Sequence, residues 1–132
     1  MFGYRHRRDN YRGGRSLAQA QPDVLIWALE PENAAILSGG VIGTHVQMGI
    51  GDGLIPENLN TEIYDEVVTI ADEEALQAAK DLARLEGFMC GISSGTNVAA
   101  AVKMAERLGK GKTVATILPD TAERYYSTPL FG

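Results

Sequence analysis

The stretch DEVVTIADEEALQAAKDLARLEGFMCGISSGTNVAAAVKMAERLG, residues 65–109, carries the pattern that decides the fold. It opens with a short apolar run, Asp65–Ile70, which is typical of a buried strand. Apolar side chains then recur at helical spacing as far as Glu86. Asp72 is the predicted N-cap of this helix and Gly87 its stop. The pattern predicts a strand followed directly by an amphipathic helix.

A second helix follows after a tight connection. Ser93 or Ser94 is its predicted N-cap, and Gly109 ends it. Its apolar spacing predicts the inner face, which consists of Val98, Ala101, Val102, Ala105 and Leu108. Two consecutive helices after one strand leave room for further strands on either side.

The flanking segments supply two more strand candidates and one long loop. Residues Asp23–Pro31 and Thr113–Pro119 are continuous apolar runs, each closed by a proline. Residues 36–60 hold six glycines and neither a helical nor a strand period, which predicts a loop. Continuous apolar strands alternating with helices are typical of an α/β fold with a mainly parallel sheet and flanking helices.

Composition bounds the class of protein. The chain has 132 residues, 45% apolar and 22% charged, which is typical of one globular domain or part of one. A single cysteine, Cys90, excludes an internal disulfide and a cysteine-rich metal site. No apolar run reaches the length of a membrane span. We expect a cytoplasmic protein without a membrane segment.

Charge is divided unevenly along the chain. Residues 1–15 hold five arginines and one carboxylate, Asp9, a net charge of +4, so residues 16–132 carry −9 of the total −5. The acidic body makes nucleic acid an unlikely main partner, whereas the basic head alone favours it. We therefore divide the chain into an atypical basic head, residues 1–15, and an acidic body, residues 16–132.

Most side chains that could take part in catalysis or binding have an ordinary structural interpretation. The serines of GISSG suit a helix cap, and the GIGDGLIP loop lacks the dinucleotide-binding spacing. Asp52 is expected to be a solvated loop carboxylate, and His45 has no second histidine at metal-ligand spacing, so no metal site is predicted. Cys90 suits a small core residue, and Tyr125–Tyr126 a packing pair.

The order of the segments carries a resemblance that the isolated motifs do not. ALEPENAAILSGG, HVQMGIGDGLIPENLN, the stretch 65–109 and TVATILPDTAERYYSTPLF follow one another. Together, over about residues 22–132, they resemble the carboxyl-terminal third of the cysteine synthase (O-acetylserine sulfhydrylase) family of fold-type II pyridoxal-phosphate enzymes. The resemblance implies part of the large domain of that fold.

The resemblance also implies an activity and a set of site residues. The reaction would be β-replacement of O-acetyl-L-serine by sulfide, giving L-cysteine and acetate, with pyridoxal 5′-phosphate as cofactor. Ser93 would hydrogen-bond the pyridine nitrogen. Pro119 and Asp120 would lie near the ring edge, and Gly49, Ile50 and Gly51 would line the substrate pocket. Partners implied are a small-molecule substrate, a second copy in a homodimer, and serine acetyltransferase by docking.

One departure from the family limits the activity expected of this chain. The family's Schiff-base lysine lies in an earlier region, and none of the four lysines here (Lys80, Lys103, Lys110 and Lys112) falls at its place. No catalytic residue is assigned, and the isolated chain is predicted to be inactive. Two alternatives stay open: a nucleic-acid-binding module led by the arginine-rich head, and a non-catalytic stub that docks onto a full-length relative.

The basic head has a possible origin in a shifted reading frame. The family carries a phosphate-cradling Gly/Thr loop where this chain has YRHRRDNYRG, residues 4–13. When codons for these ten residues are read from their second base, suitable wobble bases spell Thr-Gly-Thr-Gly-Gly-Thr-Ile-Thr-Gly-Val. The head is thus interpreted as a frame-shifted phosphate loop, with a true nucleic-acid-binding arm as the alternative.

Overall fold

Three parallel strands form the sheet. The structure, a computed structural model, describes residues 2–3, 15–55 and 59–131. The strands β1 (Phe2–Gly3), β2 (Trp27–Pro31) and β3 (Glu66–Ile70) lie in the order β1–β2–β3, with both neighbouring pairs parallel. The predicted α/β class with a mainly parallel sheet is confirmed. The predicted frame-shifted loop, residues 4–13, lies outside the described residues.

Strands β2 and β3 pair over their full length. Trp27 pairs with Glu66 and Pro31 with Ile70. Just before this ladder, the Asp65 carboxylate accepts a hydrogen bond from the Ile26 N–H at 2.7 Å, and the Asp65 N–H donates to the Ile26 carbonyl at 2.8 Å. Every residue of β2 is buried, as a continuous apolar run predicts.

Three α-helices and two short 3₁₀ turns complete the described chain. They are α1 (Arg15–Ala20), α2 (Asp72–Glu86) and α3 (Ile92–Leu108), with the turns at Glu32–Ala34 and Ala122–Tyr125. The two long helices, α2 and α3, confirm the prediction. The six-residue α1 was not predicted.

The N-cap of helix α2 lies one residue earlier than its polar side chains predict. The N-cap is Ala71, so the prediction of Asp72 as cap is wrong. The Asp72 carboxylate instead bonds outside the helix, where it accepts from the Val46 N–H at 2.9 Å. Glu74 satisfies the Ala71 N–H at 3.2 Å. At the other end, Gly87 adopts the left-handed conformation (φ 75°), which confirms the predicted stop.

The N-cap of helix α3 is Gly91, so the prediction of a serine cap is also wrong. Ser93 and Ser94 lie inside its first turn. The predicted inner face is only partly confirmed, because Ala101 and Leu108 pack against the core whereas Val102 is 53% exposed and Ala105 is exposed. Most of the side chains buried on α3 are small or polar, and Ile92 and Met104 are the larger apolar ones; the small or polar set is Ser93, Ser94, Thr96, Asn97 and Ala100. Two of the polar groups bond partners outside the helix, since the Thr96 hydroxyl donates to the Gln47 amide oxygen and the Asn97 amide nitrogen donates to the Ile117 carbonyl.

A single close approach fixes α3 against α2. A Cβ atom at Gly95 would lie 2.0 Å from the Ala75 carbonyl oxygen and 2.9 Å from the Ala79 Cβ. The two helices therefore meet where one of them has no side chain. This contact brings the first turn of α3 against the buried side of α2.

The segment Thr113–Pro119 is not a strand, contrary to prediction. It is extended but belongs to none of the described ladders, and its side chains are half-buried or exposed. A continuous apolar run becomes a buried strand only where neighbouring strands pair with it. Its tie to α3 is a hydrogen bond from Asn97 Nδ2 to the Ile117 carbonyl at 2.8 Å. After it, Thr121 forms an isolated antiparallel bridge with Cys90.

The core lies between the sheet and the α2–α3 pair. Its buried members include Trp27, Leu29, Ile70, Ala75, Ala79, Cys90, Ile92, Ala100, Met104, Tyr125 and Leu130. Arg107 on α3 covers the edge of this core, with its guanidinium 5.5 Å from the Trp27 ring centroid. Within the described residues, no helix is both long and apolar enough to cross a membrane.

The predicted glycine-rich loop is confirmed for its described part, residues 36–55 and 59–60, which holds no helix or strand. A buried carboxylate organises its beginning. Glu30 accepts hydrogen bonds from the N–H groups of Leu37 (2.7 Å) and Ser38 (3.0 Å), and from the Ser38 hydroxyl. These bonds replace the backbone ladder that a regular element would supply.

Candidate functional site

An open cleft of about 600 Å³ lies at the amino-terminal end of α3. Three separate segments meet there: the glycine-rich loop, the first turn of α3, and the stretch after residue 118. The residues that line it are Met48, Gly49, Ser93, Pro119, Asp120, Thr121, Arg124 and Tyr125. Four of these, Gly49, Ser93, Pro119 and Asp120, are among the six site residues predicted from the sequence.

Ser93 lies at the back of the cleft. Its residue is only 3% exposed, and it sits two positions after the N-cap Gly91. In the first turn of a helix the backbone N–H groups are not all used within the helix, and the helix dipole is positive there. A neutral hydroxyl in this place can exchange a hydrogen bond with a polar atom of a bound molecule.

Asp120 and Tyr125 form a hydrogen-bonded pair that also lines the cleft. The Tyr125 hydroxyl donates to Asp120 Oδ2 at 2.5 Å. The other carboxylate oxygen, Oδ1, is buried, and no hydrogen bond to it is made within the described residues. A Cβ atom at Gly91 would lie 2.2 Å from Oδ1 and 2.5 Å from the Tyr125 ring. The glycine that begins α3 thus leaves the room that this carboxylate occupies.

The loop that carries Gly49 is held by one buried side chain. Gln47 is fully buried, and its amide nitrogen donates to the Ile70 carbonyl (2.8 Å) and to Asp72 Oδ1 (2.9 Å). Its amide oxygen accepts from the Thr96 hydroxyl at 2.9 Å. Gln47 therefore joins the loop to the end of β3, the start of α2 and the second turn of α3. Gly49 follows two residues later, with φ 94°.

The other two predicted substrate residues lie elsewhere. Ile50 is a fully buried core side chain, and it is absent from the residues lining the cleft. Gly51 (φ 68°) packs against Pro31 and His45, and a Cβ atom there would lie 2.8 Å from Pro31 Cγ. The structure places both beside the cleft wall rather than in it. The predicted roles of all six residues remain predictions.

None of the chain's four lysines lines the cleft. Lys103 pairs with Glu74 at 2.8 Å on the outer side of the helices. Lys110 and Lys112 lie in the exposed turn after α3, and Lys80 lines a different cavity. The one cation at the cleft is Arg124, among the lining residues that the structure describes.

The remaining candidates have structural surroundings. His45 Nε2 lies 3.3 Å from the Gly51 carbonyl oxygen, a contact that requires the proton on Nε2. Within the described residues, no group of three or more His, Cys, Asp or Glu side chains is placed to hold a metal ion. Asp52 is exposed, as expected. Tyr126 packs on Phe131, with ring centroids 5.1 Å apart, whereas Tyr125 is buried at the cleft.

Cys90 is a core residue, as predicted. Burial raises the pKa of its thiol, and the nearby Asp120 carboxylate raises it further, while the Ser94 hydroxyl opposes the change. A thiol with a raised pKa is a weak nucleophile at neutral pH. The position of Cys90 behind the cleft therefore contributes packing, and its thiolate is disfavoured.

Sequence reasoning missed several residues of the site. Gln47 and Thr96 read as loop and helix-surface polar residues, and nothing in their local pattern shows that they bond each other across 49 positions. Arg124 and Thr121 lie in a tail that the sequence describes only as polar. One signal was available, since Gln47, four residues before the Gly-Asp-Gly turn, lies between the apolar Val46 and Met48.

Comparison with known proteins supplies the family. The family model for pyridoxal-phosphate dependent enzymes matches residues 13–120. Cysteine synthases of Staphylococcus aureus strains Mu50 and N315 are each 47% identical to this chain over 119 residues, which is 90% of the chain. The chain spans only 38% of the length of these curated relatives.

Solved structures agree with the sequence relatives. O-ureido-L-serine synthase superposes with a TM-score of 0.86 at 40% identity, covering 89% of this chain and 37% of that one. Cysteine synthase (OASS) from Entamoeba histolytica gives 0.86 at 38% identity, over 89% and 35%. The O-acetylserine dependent cystathionine beta-synthase from Helicobacter pylori gives 0.82 at 38% identity, over 92% and 40%. This chain belongs to the family of pyridoxal-phosphate dependent enzymes.

Proposed function

We propose that this chain provides one side of the cofactor and substrate site of a cysteine synthase-like enzyme. The reaction is the replacement of the acetoxy group of O-acetyl-L-serine by sulfide, which gives L-cysteine and acetate. The observation that carries the proposal is the cleft at the start of α3, where Gly49, Ser93, Pro119 and Asp120 meet from three separate segments. The 47% identity to cysteine synthases over 90% of the chain supports the same reaction.

Ser93 is the residue proposed to face the cofactor ring. Pyridoxal phosphate supplies the electron sink for carbanion chemistry when bound. A carboxylate at the ring nitrogen would keep that nitrogen protonated. The neutral Ser93 hydroxyl would not, so the ring would withdraw electrons less strongly. This suits elimination of a β-substituent better than transamination. Burial of Ser93 excludes most of the competing water from its hydroxyl.

The loop at Gly49 is proposed to hold the substrate by its backbone. Gly49 has a positive φ and brings main-chain groups to the surface of the cleft. Gln47 holds that backbone in place through three hydrogen bonds. Ile50 and Gly51 follow in the same loop, and their contact with the substrate stays a prediction.

The residues that line the cleft fit the ring of the cofactor. They do not include the lysine amine that the chemistry of the cofactor requires. A buried hydroxyl at a helix start suits the pyridine ring, and Arg124 adds a cation at the cleft. No lysine lines the cleft, so the amine that forms the imine must come from outside the residues present here. We therefore propose that the chain by itself does not catalyse the reaction.

The partners and location follow from the family relationship as further proposals. They are a small-molecule substrate, a homodimer of the complete enzyme, docking with serine acetyltransferase, and a cytoplasmic location. The acidic body, with −9 outside residues 1–15, supports the view that nucleic acid is not its partner.

The proposal is tested by restoring the lysine-bearing portion of a cysteine synthase in front of Arg15. We expect the chimera to form cysteine from O-acetylserine and sulfide, and the chain alone to show neither turnover nor a visible imine absorbance with pyridoxal phosphate. Ser93→Ala should reduce turnover of the chimera strongly with little change in its melting temperature. Ser94→Ala, one position away, is the matched control and should be milder.

Two results would contradict the assignment. If Ser93→Ala retains the turnover of the parent, or if Ser94→Ala is the more damaging change, Ser93 does not face the ring. If the chain alone forms a stoichiometric imine that disappears when one of its four lysines is replaced, the proposed lack of a Schiff-base lysine is wrong.

A further inference from the structure

A second, open cavity of about 360 Å³ lies beside Cys90. It is bordered by α2, by the Met89–Cys90 connection and by the end of the described chain at Leu130–Phe131. We name it the α2–tail cavity. Its lining residues and those of the Ser93 cleft do not overlap within the described part of the chain. The α2–tail cavity is therefore a separate feature.

The floor of the α2–tail cavity is apolar and firmly positioned. Cys90, Ala122 and Leu130 are buried there, and Met89 and Phe131 form its sides. The Ala122 N–H bonds the Met89 carbonyl at 3.3 Å, and the Phe131 N–H bonds the Thr128 carbonyl at 3.2 Å. The ring of Phe131 is also held against Tyr126. This apolar floor suits a small hydrocarbon or aromatic group.

The wall supplied by α2 is basic. Gln77, Lys80 and Arg84 line the cavity at spacings of three, four and seven, which places them on one face of the helix. In the described part of the chain the ion pairs are Lys103–Glu74 and Arg107–Glu66, and neither Lys80 nor Arg84 takes part in one. Long cationic side chains cover apolar surface with their stems and keep the charge at the edge.

We propose that the α2–tail cavity binds a small amphipathic anion, with its apolar group on the floor and its carboxylate at Lys80 and Arg84. The volume lies at the lower end of the range for small-molecule sites, about 300–1,000 Å³, which suits one ring or a short branched chain. Lys80 and Arg84, which form no ion pair with the residues that the structure describes, favour an anion over a neutral molecule of the same shape. In a chain whose net charge is −5, this local basic surface runs against the overall field.

The test is titration of the whole chain with 4-phenylbutyrate, followed by calorimetry and by amide chemical shifts. We expect saturable binding with shifts centred on residues 77–84, 89–90 and 130–131. The neutral analogue 4-phenylbutan-1-ol should bind with an affinity at least about tenfold lower, because it has no charge to pair with the two cations. Acetate alone should not saturate, since it has no apolar group.

Two double variants separate the specific site from general charge. The double variant Lys80→Gln with Arg84→Gln should bind 4-phenylbutyrate about tenfold more weakly, and its affinity for the alcohol should be unchanged. Lys110→Gln with Lys112→Gln removes the same charge from the exposed turn after α3 and should leave both affinities unchanged. Circular dichroism checks that each variant is folded.

A second measurement uses Cys90, the single cysteine, which lies at the cavity floor. Saturating 4-phenylbutyrate should slow its alkylation by iodoacetamide in the parent chain but not in the Lys80/Arg84 variant. The proposal is overturned if no probe saturates, if the alcohol binds as tightly as the acid, or if the Lys110/Lys112 variant loses as much affinity as the Lys80/Arg84 variant. A shift pattern centred on the Ser93 cleft would overturn it equally.

Discussion

The two walls of the Ser93 cleft are built in different ways. Helix α3 brings Ser93 through regular backbone bonding and one close contact with α2 at Gly95. The glycine-rich loop brings Gly49 through side chains that bond backbone groups 7 to 26 residues away, chiefly Glu30, Gln47 and Asp72. One wall is sensitive to the size of its residues, whereas the other depends on individual polar atoms. Substitutions can tell these two kinds of support apart.

The largest effect is expected at the helix contact. Gly95→Ala places a methyl group 2.0 Å from the Ala75 carbonyl oxygen, so α2 and α3 must separate. We expect a loss of about 3 kcal/mol in the free energy of unfolding, measured by urea denaturation. A loss below that of Gly87→Ala, described below, would mean that the helices do not approach as closely as the structure shows.

The loop wall should respond to the loss of one buried amide. Gln47→Ala removes three hydrogen bonds and leaves the Ile70 carbonyl and the Thr96 hydroxyl without this partner. We expect a loss of about 2 kcal/mol in the free energy of unfolding, together with altered amide shifts at Gly49.

The matched control for that variant is Gln77→Ala. The Gln77 side chain is exposed and bonds only Asp81 among the described residues, at 2.9 Å. Its loss should stay within about 0.5 kcal/mol. Equal effects at the two glutamines would show that Gln47 does not support the loop.

Gly87, at the end of α2, offers a test of backbone strain without a steric clash. Gly87 has φ 75°, and a Cβ atom added there meets nothing within 4 Å. Gly87→Ala should therefore cost about 1 kcal/mol, from strain in the left-handed conformation and not from collision. Gly87→Asn should cost less, since asparagine tolerates this conformation. If asparagine and alanine are equally costly in thermal melts, strain is not the cause.

The smallest effect is expected at the outer side of the helices. The hydrogen bond from Lys103 lowers the pKa of Glu74, opposed by partial burial and aided by the Ala71 N–H. A carboxyl whose pKa is lower in the folded state contributes stability above its unfolded pKa, and that contribution is lost as pH falls through the folded value. Because the pair is exposed, the contribution should be only a few tenths of a kcal/mol.

Glu74→Gln should reveal this contribution at neutral pH. The difference from the parent should disappear in strong acid and shrink in high salt. Glu73→Gln removes a charge from the same helical turn, and within the described residues Glu73 has no ion pair with Lys103. A pH-independent difference for Glu74→Gln would contradict the assignment to the Lys103 pair.

Four predicted site residues meet in the cleft, and the reason differs from one to the next. Ser93 and Asp120 belong to short motifs whose order along the chain is distinctive. The placement of Ile50 and Gly51 was not predictable in the same way, because in a loop with positive φ at residues 49, 51 and 53 the facing direction changes at every step. Ile50 consequently points into the core and Gly51 against Pro31.

The sequence by itself determined the α/β class, the strands β2 and β3, and the extents of α2 and α3 to within a residue or two at their ends. These follow from local periodicity, from apolar runs and from the glycines that end the helices. The tertiary structure alone decided which face of α3 is buried and that Thr113–Pro119 belongs to none of the described ladders. It also decided that Gln47 joins the loop to the helices. These features depend on partners 20 to 49 residues away, and no local pattern records a hydrogen bond over that distance.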